Sequence, residues 1–247
     1  MIKFIINPNL PQGCVDKIIC GTDDTDILKF FHDKNITVLA NDPNMHIDSA
    51  VSTHADMAAL HLGDKIIIID KAQRSLKKAL IDNGFCVTET LAEIAGEYPD
   101  DIALNFTVTD GYIAGNFTFA DDNLLKLLSD KTKIQVKQGY CKCSVLVIDD
   151  KAIITDDESI YRKASENGIE SLLISKGDVM LSGHEYGFIG GASGKISSDT
   201  VVFFGNIKLH RDYEKISCFL KKHGCSYICT DNNSLRDIGG IIPLTEK

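Results

Sequence analysis

The cysteine, histidine and aspartate residues that could carry out chemistry fall in short segments of this sequence. Cys141 and Cys143 stand two residues apart in Gly139-Tyr-Cys-Lys-Cys143, and a His-x-Asp pair occurs at His54-Ala-Asp56. A further carboxylate opens the segment Asp237-Ile-Gly-Gly240. A thiolate can attack an electrophilic carbon, an imidazole can transfer protons near neutral pH, and carboxylates hold planar cations through paired hydrogen bonds. These residue types suit nucleophilic chemistry on a small cationic molecule.

Each of these residues also has a purely structural interpretation. Cys143 could be a buried thiol that begins a core strand, with the neighbouring cysteine on the same strand face. His54 could cap or hydrogen-bond a turn, and Asp56 and Asp237 could be turn acids. A second His-x-Asp pair, His46-Ile-Asp48, indicates how readily this motif arises. The residue types alone leave both interpretations open.

The segment Gly187-Phe-Ile-Gly-Gly-Ala-Ser-Gly194 is rich in glycine and follows Ser182-Gly-His-Glu185. Glycine-rich turns can bind phosphate because they present backbone N–H groups. The spacing matches neither a Walker motif nor a dinucleotide-binding motif. We therefore interpret the segment mainly as close backbone packing, and we keep Gly190 and Gly191 as candidate substrate-binding residues.

The overall charge and the cysteine pattern narrow the classes of partner. The 247 residues carry a formal net charge of −9, which speaks against nucleic acid or an anionic membrane surface and is compatible with a small cationic ligand. The sequence contains neither a signal-peptide core nor an apolar stretch long enough to span a membrane, so we expect a cytoplasmic protein. Because none of the eight cysteines has CxxC spacing, we expect free thiols, no structural metal and no cofactor.

One pattern of predicted elements returns along the chain. Residues 57–62, 65–70, 73–82 and 85–89 are predicted as strand, strand, helix and strand, from their apolar runs and helical spacing. The same order recurs from a strand at 103–108, from one at 144–148 and from one at 187–191. A fifth copy is split, with residues 238–244 at one terminus and residues 3–39 at the other.

Helix boundaries support this repeat. Acidic residues at Thr22-Asp-Asp24, Asp121-Asp122 and Thr155-Asp-Asp157 are natural N-terminal caps, and Asn or Gly follows most of the predicted helices. Three strands per helix, five times over, differ from the usual parallel unit with one strand per helix. The sequence therefore predicts an α/β protein of one domain, residues 1–247, built as a closed five-unit α/β propeller whose fifth unit both termini share.

This arrangement resembles the pentein fold of the guanidino-group modifying superfamily, which includes arginine and agmatine deiminases, dimethylargininase and amidinotransferases. Enzymes of the superfamily use a His, often as His-x-Asp, and a Cys two units later. His54-Ala-Asp56 and Gly139-Tyr-Cys-Lys-Cys143-Ser are similar to those two segments and stand two repeats apart, in a circularly permuted order. An acidic family position one unit ahead of the His corresponds to Asp237.

The resemblance implies a Cys-dependent hydrolase or transferase that acts on a guanidine- or amidine-containing small molecule. Cys143 would be the nucleophile and the most reactive thiol, His54 and Asp237 would complete the catalytic set, and Asp56 would bind substrate. The alternative is a pentein-fold protein that binds a protein or small molecule without catalysis, as a translation initiation factor of the superfamily does. The lack of a second acid in residues 188–193 favours that alternative.

Overall fold

The computed structural model describes residues 3–21, 24–128 and 131–247, which form a mixed α/β fold. The strands in these ranges are β1 (Lys3–Phe4), β2 (Val15–Ile19), β3 (Thr37–Leu39), β4 (Ala59–Gly63), β5 (Ile66–Ile69), β6 (Cys86–Glu89), β7 (Thr107–Val108), β8 (Tyr112–Gly115), β9 (Thr132–Gln135), β10 (Val145–Asp149), β11 (Ala152–Thr155), β12 (Glu170–Leu173), β13 (Val179–Met180), β14 (Ser193–Lys195), β15 (Thr200–Phe203), β16 (Ser226–Cys229), β17 (Leu235–Arg236) and β18 (Ile242–Glu246).

The α-helices of the described ranges are short, with four to ten residues each. They are α1 (Thr25–Asp33), α2 (Ala55–Ala58), α3 (Arg74–Asp82), α4 (Asp122–Leu127), α5 (Glu158–Glu166) and α6 (Tyr213–Lys222). Single turns of 3-10 helix, Phe117–Phe119 and Ile207–Leu209, precede α4 and α6. In this part of the chain, none of the helices has the length and apolar character needed to cross a lipid bilayer.

Five sheets of the described residues repeat one connection. Sheet 1 contains β4–β6, sheet 2 contains β7–β9, sheet 3 contains β10–β12, and sheet 4 contains β14–β16. In each, the first two strands are antiparallel, a helix follows, and the third strand runs parallel to the second. Sheet 5 has the order β1-β18-β2-β3, with α1 between β2 and β3, and β13 pairs separately with β17. The predicted strand-strand-helix-strand order is present in each of sheets 1 to 5.

The described core residues form five apolar clusters, and each cluster joins two sheets. Ile68 of sheet 1 and Ile113 of sheet 2 share one cluster, and other clusters join sheets 2 and 3, 3 and 4, and 4 and 5. The remaining cluster joins sheet 5 to sheet 1 through Ile19 and Ile67. Each sheet therefore packs against two others, which explains the near-continuous apolar runs of β5 and β10.

The predicted helix boundaries are confirmed where the structure describes them. The carboxylates of Asp24, Asp121 and Asp157 accept hydrogen bonds from backbone N–H groups in the first turns of α1, α4 and α5. Asn35 after α1 and Gly84 after α3 have φ angles of 56° and 87°, the left-handed conformation of a helix C-terminus. The other two residues of the predicted α1 cap, at positions 22 and 23, lie outside the described residues.

Several predicted strands are wrong, and the reason is the same. Of residues 103–108 only β7 is a strand, residues 187–191 form a loop and a turn before β14, and α2 replaces the first part of the predicted strand at 57–62. Each of these segments is apolar because it is buried, so hydrophobicity alone does not distinguish a buried turn from a strand. In sheet 5, β2 and not β1 lies between β18 and β3.

Candidate active site

The turn or loop that precedes the first strand of each sheet contributes to one site. Asn105, before β7, contacts Cys143, before β10. Gly191, before β14, donates its backbone N–H to the Cys143 carbonyl at 2.9 Å and accepts from Ile238 N, in the segment before β18. His54, before β4, lies with its Nδ1 3.7 Å from Asp237 Oδ1. Five separate turns or loops therefore contact one another at one location.

The Cys143 thiol is buried among polar groups. Its Sγ donates to Asp56 Oδ2 at 2.9 Å and accepts from Asn105 Nδ2 at 3.2 Å. Burial, together with the carboxylates of Asp56 and Asp237, raises the pKa of the Cys143 thiol well above its usual value. The thiol is therefore protonated in this structure at neutral pH.

Cys141 has a different environment, and the expectation that both cysteines share a strand face is wrong. Residues 141–144 form a turn, and β10 begins only at Val145. Cys141 packs in the apolar cluster with Ile134 and Val145, where burial raises the pKa of its thiol to about 11. Only Cys143 of the two lines the cavity described below.

His54 occupies the N-cap position of α2 but does not act as a cap. Its imidazole makes no capping hydrogen bond to the described part of α2. Nδ1 is buried without a hydrogen-bond partner among the described residues and faces Asp237 Oδ1 at 3.7 Å. The simple capping role considered for this residue does not account for its position.

Asp237 is held by backbone donors. Its Oδ2 accepts from Phe188 N at 2.8 Å, and its Oδ1 accepts from Gly239 N at 3.0 Å. Gly239 has a φ of 76°, and a Cβ there would lie 2.4 Å from the Cβ of His54. The turn therefore requires glycine and brings the carboxylate and the imidazole together.

Gly190 and Gly191 lie beside the cavity but are not among the described residues that line it. A Cβ on Gly190 would stand 2.4 Å from the Lys142 carbonyl oxygen, and one on Gly191 would stand 1.9 Å from Asp237 Oδ1. The structure thus gives both glycines a packing role against the nucleophile turn and the carboxylate, which is the interpretation favoured for this segment from its spacing.

Asp56 lies behind the thiol and not on the cavity wall. It is 1% exposed, and its Oδ1 has no hydrogen-bond partner among the described residues. Burial raises the pKa of Asp56 to about 6. Its direct neighbour is Cys143 Sγ. The sequence predicted that Asp56 binds substrate, whereas in the structure it lies beside the candidate nucleophile.

A cavity of about 250 Å³ opens at this site. Its lining combines carboxylates, imidazoles, aromatic rings and one thiol: Asp48, Val51, His54, Tyr140, Cys143, Leu181, His184, Glu185, Tyr186, Phe188 and Asp237. Among the described residues, neither lysine nor arginine lines it. The cavity is therefore suited to a cation with an apolar or planar body.

Fixed aromatic rings form part of the cavity wall. Tyr140 donates its hydroxyl to Asp101 Oδ2 at 2.7 Å, and the ring centroids of Tyr140 and Phe188 are 6.1 Å apart. The Tyr186 ring packs edge-on to Phe188 at 6.0 Å. Because these contacts fix the rings before any ligand enters, the wall is preorganised.

Several lining residues were missed from the sequence although their segments were noticed. His184 and Glu185 stand in the segment considered for phosphate, and Asp48 belongs to the second His-x-Asp pair. His184 Nε2 lies 3.0 Å from Asp48 Oδ2 at the exposed mouth. Asn105 was read as part of a strand, although a polar residue within an apolar run was a usable signal for a functional position.

The described ranges contain no cluster of three or more His, Cys, Asp or Glu side chains arranged to hold a metal ion. The groups that converge at the cavity are one thiol, one imidazole and two buried carboxylates, together with the mouth residues. This set can supply a nucleophile, a proton donor or acceptor, and hydrogen-bond acceptors for a planar cation.

Comparison with solved structures identifies the fold. The amidinotransferase SxtG of the saxitoxin biosynthetic pathway, from Microseira wollei, aligns with a TM-score of 0.60 at 10% identity over 97% of each chain. The inosamine-phosphate amidinotransferase StrB1 from Streptomyces griseus aligns at 0.58 and 11% identity, covering 98% of this chain and 96% of its own. The agmatine deiminase of C. jejuni aligns at 0.55 and 13% identity, covering 95% and 94%.

These similarities confirm the resemblance to the pentein superfamily at the level of the fold. A search of curated protein sequences gives no match. The sequence profile of the family described as "Family of unknown function (DUF6873)" matches residues 18–242, and the chain therefore belongs to this family.

Proposed function

We propose that this protein is a Cys-dependent enzyme that modifies a guanidine- or amidine-containing small cation. The observation that carries the proposal is that the Cys143 thiol, the His54 imidazole and the Asp237 carboxylate line one cavity, whose described lining contains neither lysine nor arginine. The similar folds named as amidinotransferases and agmatine deiminase support a guanidine as the reacting group.

A guanidinium group would be held by charge and by its planar shape. Carboxylates such as Asp237 accept charge-assisted hydrogen bonds from its N–H groups, and the faces of Tyr140 and Phe188 suit a flat cation. Such contacts hold the guanidinium carbon near Cys143 Sγ, which is the proximity that nucleophilic attack requires.

The bound cation would also activate the nucleophile. Burial and two carboxylates keep the empty-site thiol protonated, and a guanidinium in the cavity adds the positive charge that lowers the pKa of Cys143. The thiol proton has an acceptor in place, because Asp56 Oδ2 already accepts from Sγ. Asp56 therefore takes up the proton as the thiolate forms.

The reaction then proceeds in two halves. Sγ forms a bond to the guanidinium carbon, the C=N electron pair moves to nitrogen, and protonated His54 gives a proton to the amine that leaves as the C–N bond breaks. In the second half, neutral His54 removes a proton from the attacking water, a C–O bond forms, and the C–S bond breaks to release the thiolate. An amine in place of water would give transfer instead of hydrolysis.

The proposal includes the closed five-unit propeller as a single domain. Five sheets with one connection order, five clusters whose pairings return from sheet 5 to sheet 1, and five strand-preceding turns that meet at the cavity all support it. A free thiol at the centre of the site fits a reducing compartment, so the proposal places the enzyme in the cytoplasm.

The test is turnover of a panel of guanidines, with agmatine, arginine and methylarginine, read as ammonia or amine release and by mass spectrometry of the product. We expect release by the wild type, none by Cys143→Ser, and strongly reduced release by His54→Ala, because His54 transfers protons in both halves of the reaction. Product formation that persists in Cys143→Ser would overturn the proposal.

A second candidate function is cation binding without catalysis. It is favoured by the hydrogen bond from the Cys143 thiol to Asp56, which keeps the sulfur in its unreactive form. Under this alternative, a guanidine would bind with equal affinity to the wild type and to Cys143→Ser, and neither protein would release product from any compound of the panel.

A further inference from the structure

Asn105 is the neutral side chain in contact with the Cys143 sulfur, and it is almost fully enclosed. It is 1% exposed and lies just before β7, outside the set of described residues that line the cavity. Nothing in a substrate would touch it. Whatever Asn105 does, it does through the residues around it.

The hydrogen bonds of Asn105 fix the orientation of its amide. Oδ1 accepts from Lys142 N at 2.8 Å and from Cys143 N at 3.3 Å, so the oxygen is committed to the backbone of the nucleophile turn. The amide nitrogen must then point the other way, where it lies 3.2 Å from Cys143 Sγ and 3.3 Å from the Asp56 carbonyl oxygen. Met57 Sδ, at 3.4 Å, completes its surroundings.

The contact between Asn105 Nδ2 and Cys143 Sγ lies among charged groups that disfavour the thiolate form of Cys143. Asp56, from α2, and Asp237, from the loop before β18, both raise the pKa of the Cys143 thiol. His54 also lines the cavity, Tyr140 directly precedes the turn of Cys143, and Lys142 lies within that turn. Within this set Asn105 provides a hydrogen-bond donor to sulfur, and a donor to an ionised acceptor forms a stronger, charge-assisted bond.

We propose that Asn105 is a positioning residue that holds the Cys143 side chain in the cavity through the backbone of its turn and stabilises the thiolate form by donating Nδ2–H to Sγ. The mechanistic role of the thiolate rests on the function proposed above, whereas the effect of Asn105 on the sulfur does not. Asn105 therefore sets how readily Cys143 ionises.

The test is the pH dependence of Cys143 alkylation by iodoacetamide, resolved by mass spectrometry of the peptide that carries this cysteine. Asn105→Asp keeps an oxygen for the two backbone N–H groups but replaces the sulfur donor with an acceptor. We expect alkylation of Cys143 at pH 8 to slow at least about tenfold, the change that one pKa unit gives. An alkylation profile that superimposes on that of the wild type would overturn the proposal.

Asn44→Asp is the matched control. Asn44 is also buried, and its Nδ2 donates to Asp70 Oδ2 at 3.1 Å and to the Ile94 carbonyl at 2.7 Å, so the substitution places a similar charge beside a carboxylate away from Cys143. We expect it to leave the Cys143 profile unchanged. An equal shift in both variants would identify a general effect of buried charge and would overturn a specific role for Asn105.

A measurement on the wild type covers the case in which Asn105→Asp does not fold. The side-chain amide signals of Asn105 in NMR spectra should move with the same midpoint as Cys143 ionisation, and should shift when Cys143 is alkylated. Signals that stay fixed in both experiments would overturn the proposal. A protein that turns over no guanidine yet shows these effects would remove the proposed function and leave this inference in place.

Discussion

The sulfur atoms of Cys141 and Cys143 occupy one turn, yet their surroundings differ in polarity. Cys141 packs in an apolar cluster with the Thr107 hydroxyl 3.6 Å from its sulfur, whereas the Cys143 sulfur contacts a carboxyl and an amide. Neither is exposed, in contrast to Cys14, Cys86 and Cys218. The exposed thiols should therefore react first with alkylating reagents, which replaces the expectation that Cys143 is the most reactive thiol in the absence of ligand.

Serine substitution at the two positions should separate chemistry from stability. Cys143→Ser keeps a hydroxyl that can donate to Asp56 and accept from Asn105, so we expect lost turnover with a change in unfolding free energy within about 1 kcal/mol. Cys141→Ser places a smaller and more polar hydroxyl in a largely apolar cluster, with Thr107 Oγ1 as a neighbour, and should cost about 1–3 kcal/mol while turnover persists. Urea unfolding and the guanidine assay measure the two effects, and the reverse pattern would exchange the roles of the two cysteines.

Asp56 should make the folded protein less stable as pH rises. Burial raises its pKa from 3.8 to about 6, so the folded state binds the proton more tightly than the unfolded state. The contribution of Asp56 to the free energy of unfolding is fully present below about pH 4. It is lost as the pH rises to about 6, and the loss is about 3 kcal/mol. Asp56→Asn should remove that part of the pH dependence in urea unfolding at pH 4 and pH 7, whereas equal slopes in the two proteins would contradict the assignment.

At the scale of elements, the turns before the first strands carry the site and the strands carry the core. These turns often contain glycine, because backbone or carboxylate atoms of other segments lie where a Cβ atom would stand. Asp237 Oδ1 and the Cys143 carbonyl both approach Gly191. A side chain at that position would push the carboxylate out of its hydrogen bonds.

Gly191→Ala should therefore weaken ligand binding more than a typical glycine substitution. Its Cβ would lie 1.9 Å from Asp237 Oδ1, so we expect agmatine affinity to fall at least about tenfold, with a loss of about 1–3 kcal/mol in stability. Gly111→Ala is the control, since no described atom beyond its chain neighbours lies within 4 Å of its Cβ position. Calorimetric binding and thermal unfolding measure the difference, and equal effects in both variants would contradict the packing role.

Local signals in the sequence were sufficient for α1 and α3 to α6 and for the order of the repeat, although α2 was missed. Asp121 and Asp157 cap α4 and α5 through bonds made within three residues, so the cap can be read from adjacent positions. The site depends on contacts between distant segments, such as Asn105 with Cys143 or Tyr140 with Asp101. No periodicity encodes such contacts, which is why the thiol, the imidazole and Asp237 could be proposed from a resemblance while Asn105 and the aromatic wall were missed.

At the scale of the molecule, the net charge of −9 and the carboxylates of the cavity both favour a cationic ligand. Asp48 and Glu185 stand at the exposed mouth, and the described lining residues include neither lysine nor arginine to pair with a carboxylate on the substrate. The field should therefore attract cations and disfavour the carboxylate end of a free amino acid.

This charge distribution predicts selectivity between two otherwise similar guanidines. Agmatine has no carboxylate and arginine has one, so we expect kcat/KM to be at least about tenfold higher for agmatine, a difference of about 1.4 kcal/mol. Glu185→Gln and Asp48→Asn should reduce that ratio. Steady-state assays at low and high salt provide the measurement, and a preference for arginine would contradict the electrostatic argument.

Sheet 5 has a consequence for the order in which the chain is made. Ile19 of β2 pairs with Ile242 of β18, and Lys3 of β1 pairs with Glu246. At about 5–20 residues per second, a ribosome separates the synthesis of these partners by at least about ten seconds. Throughout that interval, β2 and α1 are present on the nascent chain without β18, the strand that lies between β1 and β2 in the sheet. Sheet 5 therefore cannot be completed until β18 has been made, and the apolar surface of β2 and α1 is the part that a chaperone would need to shield until then.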